Sequence, residues 1–263
     1  MSQRPQPASQ PEDKGNEAES ALASHPRRDS LLIREWLVEG VRSGITSQHG
    51  LIAHGRGEAF DYLIAERTRE FAETAIRAAV AMLLLAERPI ISVNGNAAAL
   101  APADLVRLSE VTGARLEINL FHHSEERVSA IEQHLEKFGG TGILRPTQDA
   151  VISTLSSDRR YVNPEGIAVA DVVFVPLEDG DRCVALRASG KSVITIDLNP
   201  LSRTSRDASI TIVDNVVRAV PRIVERAVEM RSSEKDSHLI ADARKYDHAE
   251  ILQAAEKAMR TGL

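Results

Sequence analysis

The chain has 263 residues, of which 43% are hydrophobic and only 3% aromatic, and its formal net charge is -6. That balance excludes a surface that attracts nucleic acid or anionic lipid over its whole extent, and the single cysteine, Cys183, excludes an intrachain disulfide scaffold. The longest apolar stretch, residues 78–86, falls far below the roughly 18 to 20 residues of a membrane span, and no charged-then-apolar signal segment opens the sequence, so a cytoplasmic protein with an aliphatic core is expected.

Residues 1–24 are rich in Ser, Gln, Pro and Glu, have almost nothing to bury, and predict a disordered tail. A helical pattern begins at Asp29, with Leu31, Leu32, Trp36, Leu37 and Val41 on one side and Gly44 as its stop. Residues 53–62 read as a glycine-rich polar loop. A second helix is expected over about residues 67–87, ended by Pro89, after which Ile90-Ile91-Ser92-Val93 forms the first strand. A helix over 102–112 stops at Gly113, Leu116-Glu117-Ile118-Asn119-Leu120 reads as a strand, and Ser124 with Glu125 and Glu126 opens another helix. Strands follow at 171–177, 192–197 and 210–213, then a helix over about 216–230.

Strands separated by helical stretches imply crossover connections. The expected fold class is α/β, a Rossmann-like mostly parallel sheet with helices on both faces and helical segments at either end. Residues 25–231 form its core, and residues 232–263 a C-terminal helical segment that packs through Leu239, Ile240, Ile251, Leu252 and Ala255.

Three motifs mislead. Residues 185–192 nearly match a phosphate-binding loop, with Gly190-Lys191-Ser192 present and Ala185 in place of the first glycine. Such a loop must follow a strand and open a helix, whereas here Gly190 closes a helix and Lys191 leads into a strand. The stretch from His54 begins like a dinucleotide fingerprint but has Phe60 where the third glycine belongs. The adjacent pair His122 and His123 lacks chelating spacing, and Cys183, with no cysteine partner, reads as an inert thiol.

Ligands of open α/β sheets bind beyond the carboxyl ends of the strands. The polar clusters there, around Asn94-Gly95-Asn96, residues 178–182 and residues 197–206, mix arginine, carboxylate, asparagine and glycine and suit a polyanionic ligand. Asp197 ends a strand, where a carboxylate accepts ribose hydroxyls; Asp179 and Asp181 flank Gly180 and can hold magnesium or orient an ammonium group. Arg203 and Arg206 share a helical face, and Arg127 follows the strand that carries Asn119.

Taken together, Arg27-Arg28-Asp29-Ser30-Leu31, the stretch Gly50-Leu51-Ile52-Ala53-His54-Gly55-Arg56-Gly57-Glu58-Ala59-Phe60-Asp61-Tyr62, Ser92-Val93-Asn94-Gly95-Asn96, residues 176–182 and residues 196–203 resemble the archaeal phosphopantothenate synthetases, or 4-phosphopantoate-β-alanine ligases. The resemblance spans roughly residues 25–231. It implies ATP-dependent joining of (R)-4-phosphopantoate to β-alanine, giving 4'-phosphopantothenate, AMP and pyrophosphate in coenzyme A biosynthesis, by a homodimer that uses Mg2+. By motif it associates Arg34, Arg56, Asp179, Gly180, Asp181, Arg182, Asp197, Leu198 and Asn199 with ATP, and Asn94, Gly95, Asn96, Arg127, Arg203 and Arg206 with phosphopantoate. Arg56 is the expected charge stabiliser and either Glu58 or Asp181 the base; the metal ligands stay open. His123 stands where an arginine is expected in many relatives. The readings set against this one are a nucleotide-binding sensor without chemistry and a nicotinamide-dependent oxidoreductase.

Overall fold

The computed structural model describes residues 25, 27–233, 241, 243 and 245–262. The tail expected over residues 1–24 and the packing positions Leu239 and Ile240 lie outside the described residues. In chain order the elements are α1 (Arg28–Arg42), α2 (Gln48–Leu63), α3 (Glu70–Leu85), β1 (Pro89–Val93), α4 (Gly95–Leu100), α5 (Pro102–Thr112), β2 (Arg115–Ile118), α6 (Glu125–Lys137), β3 (Ala150–Val151), β4 (Tyr161–Val162), β5 (Val172–Pro176), α7 (Gly180–Ala188), β6 (Ser192–Ile196), α8 (Arg203–Asp207), β7 (Ile210–Ile212), α9 (Val216–Ser233) and α10 (His248–Thr261).

Five strands pair in parallel in the order β2-β1-β5-β6-β7, as expected for a Rossmann-like sheet. Successive strand residues point to opposite faces, and the aliphatic side chains divide accordingly. Ile91, Phe174, Ile194 and Ile196 join the large cluster built with α3, α5 and α9, whereas Ile90, Val173, Val175 and Val193 join a second cluster with Leu186 of α7 and with Leu144, Val162 and Ile167. Burial on both faces is why these strands read as unbroken apolar runs.

The chain runs from β1 outward to β2 on one side and from β5 through β6 to β7 on the other, so the order reverses between β1 and β5. Ligands enter doubly wound sheets at such a reversal, beyond the carboxyl ends of the strands. Asn94 follows β1 and Leu177 follows β5, and the Asn94 side-chain amide donates to the carbonyls of Pro176 (2.8 Å) and Leu177 (3.2 Å), spanning the crevice.

The expected stops hold where glycine takes a left-handed backbone, at Gly44, Gly113 and Gly190. Beyond Gly190, Lys191 turns inward and donates to the carbonyls of Ala168 and Ala170, each at 3.0 Å, so the false phosphate loop is a helix end followed by a strand.

Two expectations need correction. Residues 53–62 are not a loop but part of α2. Each glycine within a helix costs about 1 kcal/mol relative to alanine, and tertiary bonds offset it: Asp61 accepts from Asn215 (2.8 Å) and from Arg218 (2.5 Å), while Arg218 also holds Asp214 (2.6 Å). The buried side of α1 is Ser30, Ile33, Leu37 and Gly40, leaving Trp36 46% exposed. Residues 138–170, which show no periodicity, form a small two-stranded sheet of β3 and β4. Long-range polar contacts hold it: the buried Glu117 carboxylate accepts from the Asn163 and Ile167 N–H groups (2.9 and 2.6 Å), and the Asn119 amide donates to the carbonyls of Arg159 (3.3 Å) and Tyr161 (3.0 Å).

At the C-terminal end, Ile251 and Ala255 of α10 are buried, as expected for a packed helical segment. Among the described residues no helix is long and apolar enough to cross a membrane.

Candidate active site

Two cavities open side by side at the carboxyl ends of the sheet. One, of about 440 Å³, lies over β5 and β6 and is lined by Gly180, Asp197, Leu198, Asn199, Ser202 and Arg203 among others. Its neighbour, of about 410 Å³, lies over β1 and β5 and includes Thr46, His49, Asn94, Gly95, His122, Arg127 and Arg159 in its wall. Ala53, Arg56, Asn96, Leu177, Glu178 and Asp179 border both. A larger cavity of about 520 Å³ sits beside Trp36 and Phe138, away from the strand ends, and shares none of these polar residues.

Short helices fix the polar groups. The Asn94 Oδ1 accepts from the Ala97 N–H (3.0 Å) at the start of α4, Asp179 Oδ1 from the Arg182 N–H (2.9 Å) at the start of α7, and Ser202 Oγ from the Ser205 N–H (2.9 Å) at the start of α8. Asparagine, aspartate and serine suit this role because their side-chain oxygens reach the unpaired N–H groups of a first turn. Asn96 ties α4 to α2 by donating to the Gly50 carbonyl (2.9 Å) and accepting from the Thr46 hydroxyl. Gly180 lets α8 approach, since a Cβ there would meet the Arg203 Cβ at 2.6 Å. Leu177 adopts a φ of 61°, a conformation that costs a side-chain-bearing residue about 1–2 kcal/mol. Strain of this kind persists where the surroundings over-determine the backbone, here at the shared wall.

An ion cluster, largely buried, is built into that wall. Glu178, fully buried, accepts from both Arg159 and Arg182; Arg159 also donates to Asp179, and Arg182 to the Ser92 hydroxyl (3.1 Å). Burial pushes the Asp179 carboxyl up, but Arg159 and the Arg182 N–H outweigh it and hold the group below its ordinary value. Asp197 accepts from the Asn199 N–H (2.9 Å) and the Ser202 hydroxyl, and burial prevails there, raising its carboxyl. Arg56 is exposed and has no carboxylate partner among the described residues.

The expected site residues are therefore brought together only in part. Arg56, Asp179, Gly180, Asp197, Leu198, Asn199 and Arg203 line the cavity over β6, with Asn96 on its border; Asn94, Gly95, Asn96 and Arg127 line the cavity over β1. Arg34 and Glu58 line neither. They pair between α1 and α2 (2.8 Å), where the Tyr62 hydroxyl also donates to the buried Glu58 (2.7 Å); burial pushes the Glu58 carboxyl up, but the Arg34 and Tyr62 bonds outweigh it and lower it. Asp181 sits at the rim in an exposed pair with Arg203, Arg182 is buried behind the wall, and Arg206 is exposed on α8. Arg159 lines the cavity over β1 without having been expected there, and Glu178 falls in the expected polar cluster over residues 178–182 without having been assigned a role. For Glu178 the (i, i+4) spacing to Arg182 was the available signal; Arg159, in an aperiodic stretch, had none.

Two expectations about single residues also meet the structure here. Cys183 is buried, and burial pushes its thiol up to about 12, which fits an inert role. His122 contacts the His49 ring, with centroids 5.1 Å apart, and both lie in the wall of the cavity over β1.

Residues 71–262 match the family model described as phosphopantothenate/pantothenate synthetase. The chain is 55% identical over 231 residues to the 4-phosphopantoate–beta-alanine ligase of Methanosarcina mazei, an alignment covering 88% of this chain and 90% of that protein. It is 55% identical over 233 residues to the enzyme of the same name from Thermococcus onnurineus (87% and 88% covered) and 54% identical over 230 residues to that of Thermococcus kodakarensis (87% and 88%).

Proposed function

The chain belongs to the phosphopantothenate/pantothenate synthetase family, and from that premise we propose that it is a 4-phosphopantoate-β-alanine ligase of coenzyme A biosynthesis, using ATP and releasing AMP and pyrophosphate. The observation that carries this reading is the pair of adjoining cavities with one shared polar wall. A two-site reaction needs two ligands held with their reacting atoms in contact, and positioning of this kind supplies much of the rate.

A carboxylate resists attack by an amine because its oxygen is a poor leaving group. In the proposed sequence the acid's carboxylate oxygen attacks the α-phosphorus of ATP, and pyrophosphate leaves. The β-alanine amine then attacks the activated carbonyl and AMP leaves. The cavity over β6 is the proposed nucleotide site. Asp197, still able to accept from ribose hydroxyls, faces one part of it, and the first turn of α7 offers N–H groups and the positive end of its dipole to phosphates. Arg56, on the border of both cavities, is suited to stabilise charge that develops between the two ligands.

Magnesium, when bound, neutralises phosphate charge. It commonly takes one or two carboxylates together with substrate phosphates rather than a protein cage, and Asp179 with Asp181 fits that pattern; among the described residues there is no cluster of three or more metal-ligating side chains. Neither proposed carboxylate lines a cavity, but Asp181 pairs with Arg203, which does, and is the one we propose to receive the amine proton. The assembly we propose is a homodimer in the cytoplasm.

The test is direct: incubate the protein with ATP, Mg2+, phosphopantoate and β-alanine and measure AMP together with a new amide. Stoichiometric AMP and amide are expected. ATP binding without turnover would favour a sensor, and a change in reduced-nicotinamide absorbance an oxidoreductase.

A further inference from the structure

One stretch of chain, residues 197–204, brings Asp197, Leu198, Asn199, Ser202 and Arg203 to the cavity over β6. It runs into α8, which at five residues is far shorter than the roughly 12 an isolated helix needs to persist in water. Bonds from outside have to hold it. They meet at Ser205, which is fully buried and uses each of its polar groups. Its N–H donates to Ser202 Oγ (2.9 Å) and its hydroxyl to the Asn199 carbonyl (2.8 Å), while its carbonyl accepts from the Thr211 hydroxyl (2.9 Å) and from His248 Nε2 (2.8 Å). Ser202 in turn donates to Asp197. A shift of the Ser205 carbonyl is therefore passed on to Ser202 and Asn199, both in the cavity wall.

His248 comes from outside the sheet, in the first turn of α10. The direction of its bonds follows by elimination. A carbonyl only accepts, so Nε2 carries the proton; Nδ1 of a neutral imidazole then accepts, and the Tyr246 hydroxyl donates to it (3.0 Å). Burial pushes the Tyr246 hydroxyl up to about 12, so it keeps the proton that it donates. Its oxygen accepts from the Thr211 N–H (3.0 Å) on β7, an edge strand with no further strand to take that donor. Between the two residues Asp247 accepts from the Glu250 N–H (3.0 Å) and caps α10, whose Ile251 and Ala255 are buried. The clasp of Tyr246 and His248 thus sits on an anchored helix.

We propose that His248, backed by Tyr246, is a positioning residue for the nucleotide: neither side chain lines the cavities at the strand ends, yet His248 fixes the Ser205 carbonyl and through it the stretch that receives ATP. This rests on the ligase reading above and on the cavity over β6 as its nucleotide site. It makes the C-terminal helical segment a working part of that site.

The experiment titrates ATP with Mg2+ into the wild type, H248A, H248Q and Y246F by calorimetry, and measures kcat and the KM of each substrate in the ligation assay. His248→Ala removes the donor to Ser205. His248→Gln puts an amide N–H at a similar reach and loses the bond from Tyr246, and Tyr246→Phe removes that hydroxyl alone. H248A is expected to bind ATP about 10-fold more weakly, with the KM for ATP raised in proportion and kcat and the KM for the acid within about threefold of wild type; H248Q is expected to recover to within about threefold, and Y246F to fall between. A residue that only stabilised the fold would lower the active fraction, and so kcat, at unchanged KM. ATP binding by H248A equal to wild type, a loss of kcat at unchanged KM, or H248Q as weak as H248A overturns the assignment. Should H248A fail to fold in a thermal melt, Y246F decides: weaker ATP binding at wild-type kcat upholds the assignment, and wild-type binding overturns it. A wild type that binds ATP but forms no amide overturns the ligase reading alone, and the titrations then judge the clasp by the same comparison. A wild type that binds no ATP overturns both.

Discussion

Replacing Lys191 by Met tests whether this lysine holds the fold or a phosphate. The Lys191 ammonium is buried and donates to the Ala168 and Ala170 carbonyls at 3.0 Å each, and its side chain lines none of the cavities. A hydrogen bond from a charged donor contributes about 1.5–3 kcal/mol. Two of them are lost, and two carbonyls are left without that donor. The loss is offset by relief of desolvation, which already lowers the lysine's own proton affinity, and by the aliphatic stem that Met retains. The net destabilisation expected is about 2–4 kcal/mol. At roughly 2–4 °C per kcal/mol for a chain of this size, the melting temperature falls by about 5–15 °C. Scanning calorimetry reads this loss, and AMP release with ATP varied reads the KM, expected to match wild type when assayed well below the transition. A variant that melts with wild type yet raises the KM for ATP tenfold would refute the reasoning and restore the phosphate-loop reading.

Arg56→Ala is expected to cut kcat/KM by about 100-fold or more and to leave stability within about 0.5 kcal/mol, since the side chain is exposed and has no carboxylate partner among the described residues; near-normal ligation would remove it from the mechanism. Gly180→Ala forces a Cβ against the Arg203 Cβ, a contact of 2.6 Å, and should destabilise by about 1–3 kcal/mol while raising the KM for ATP, whereas unaltered kinetics would show that α8 gives way freely. Glu117 supplies a pH signature. Burial pushes its carboxyl up to about 7 from 4.5, against the Ile167 and Asn163 N–H bonds that lower it. The folded state therefore holds this proton more tightly than the unfolded chain, and stability falls as pH rises from 4.5 to 7, by on the order of 3 kcal/mol in all. Urea midpoints across that range should slope less in Glu117→Gln than in wild type, and parallel slopes would count against the assignment.

The strand ends were legible in the sequence because parallel strands buried on both faces read as aliphatic runs, and Val172–Pro176 and Ser192–Ile196 end where charge begins. Asn94 and Asp197 follow from that alone, being the first polar residues past a strand, and Asp179 follows next to Glu178, the first polar residue past Val172–Pro176. The helical state of α2 was hidden, because glycines at 50, 55 and 57 oppose it locally and the compensation comes from Arg218, more than 150 residues away in the chain. Direction was hidden too. Arg34, Arg56 and Arg182 are the same residue type in family-like motifs, yet one pairs with the buried Glu58 between α1 and α2, one borders both cavities and one lies buried against Glu178. Which way an arginine turns depends on where its carboxylate partner sits in space, and local sequence carries little of that.

Glu178 shows what such burial accomplishes at the site. A carboxylate without solvent exposure is costly unless paired and hydrogen-bonded, and here two guanidinium groups converge on it, Arg159 from the small sheet and Arg182 from α7. Removing one partner of a buried pair costs about 3–5 kcal/mol, although the intact pair adds little to stability over an apolar replacement. Its benefit therefore lies in geometry: the carboxylate holds the β3–β4 segment, the start of α7 and the strained turn at Leu177 in one arrangement. All three border the cavity over β1 or the wall it shares with its neighbour. Groups aimed at developing charge accelerate a reaction to the extent that they need not reorganise when it occurs, and an ion cluster built into the wall is a means of keeping Arg159 and Asp179 from moving.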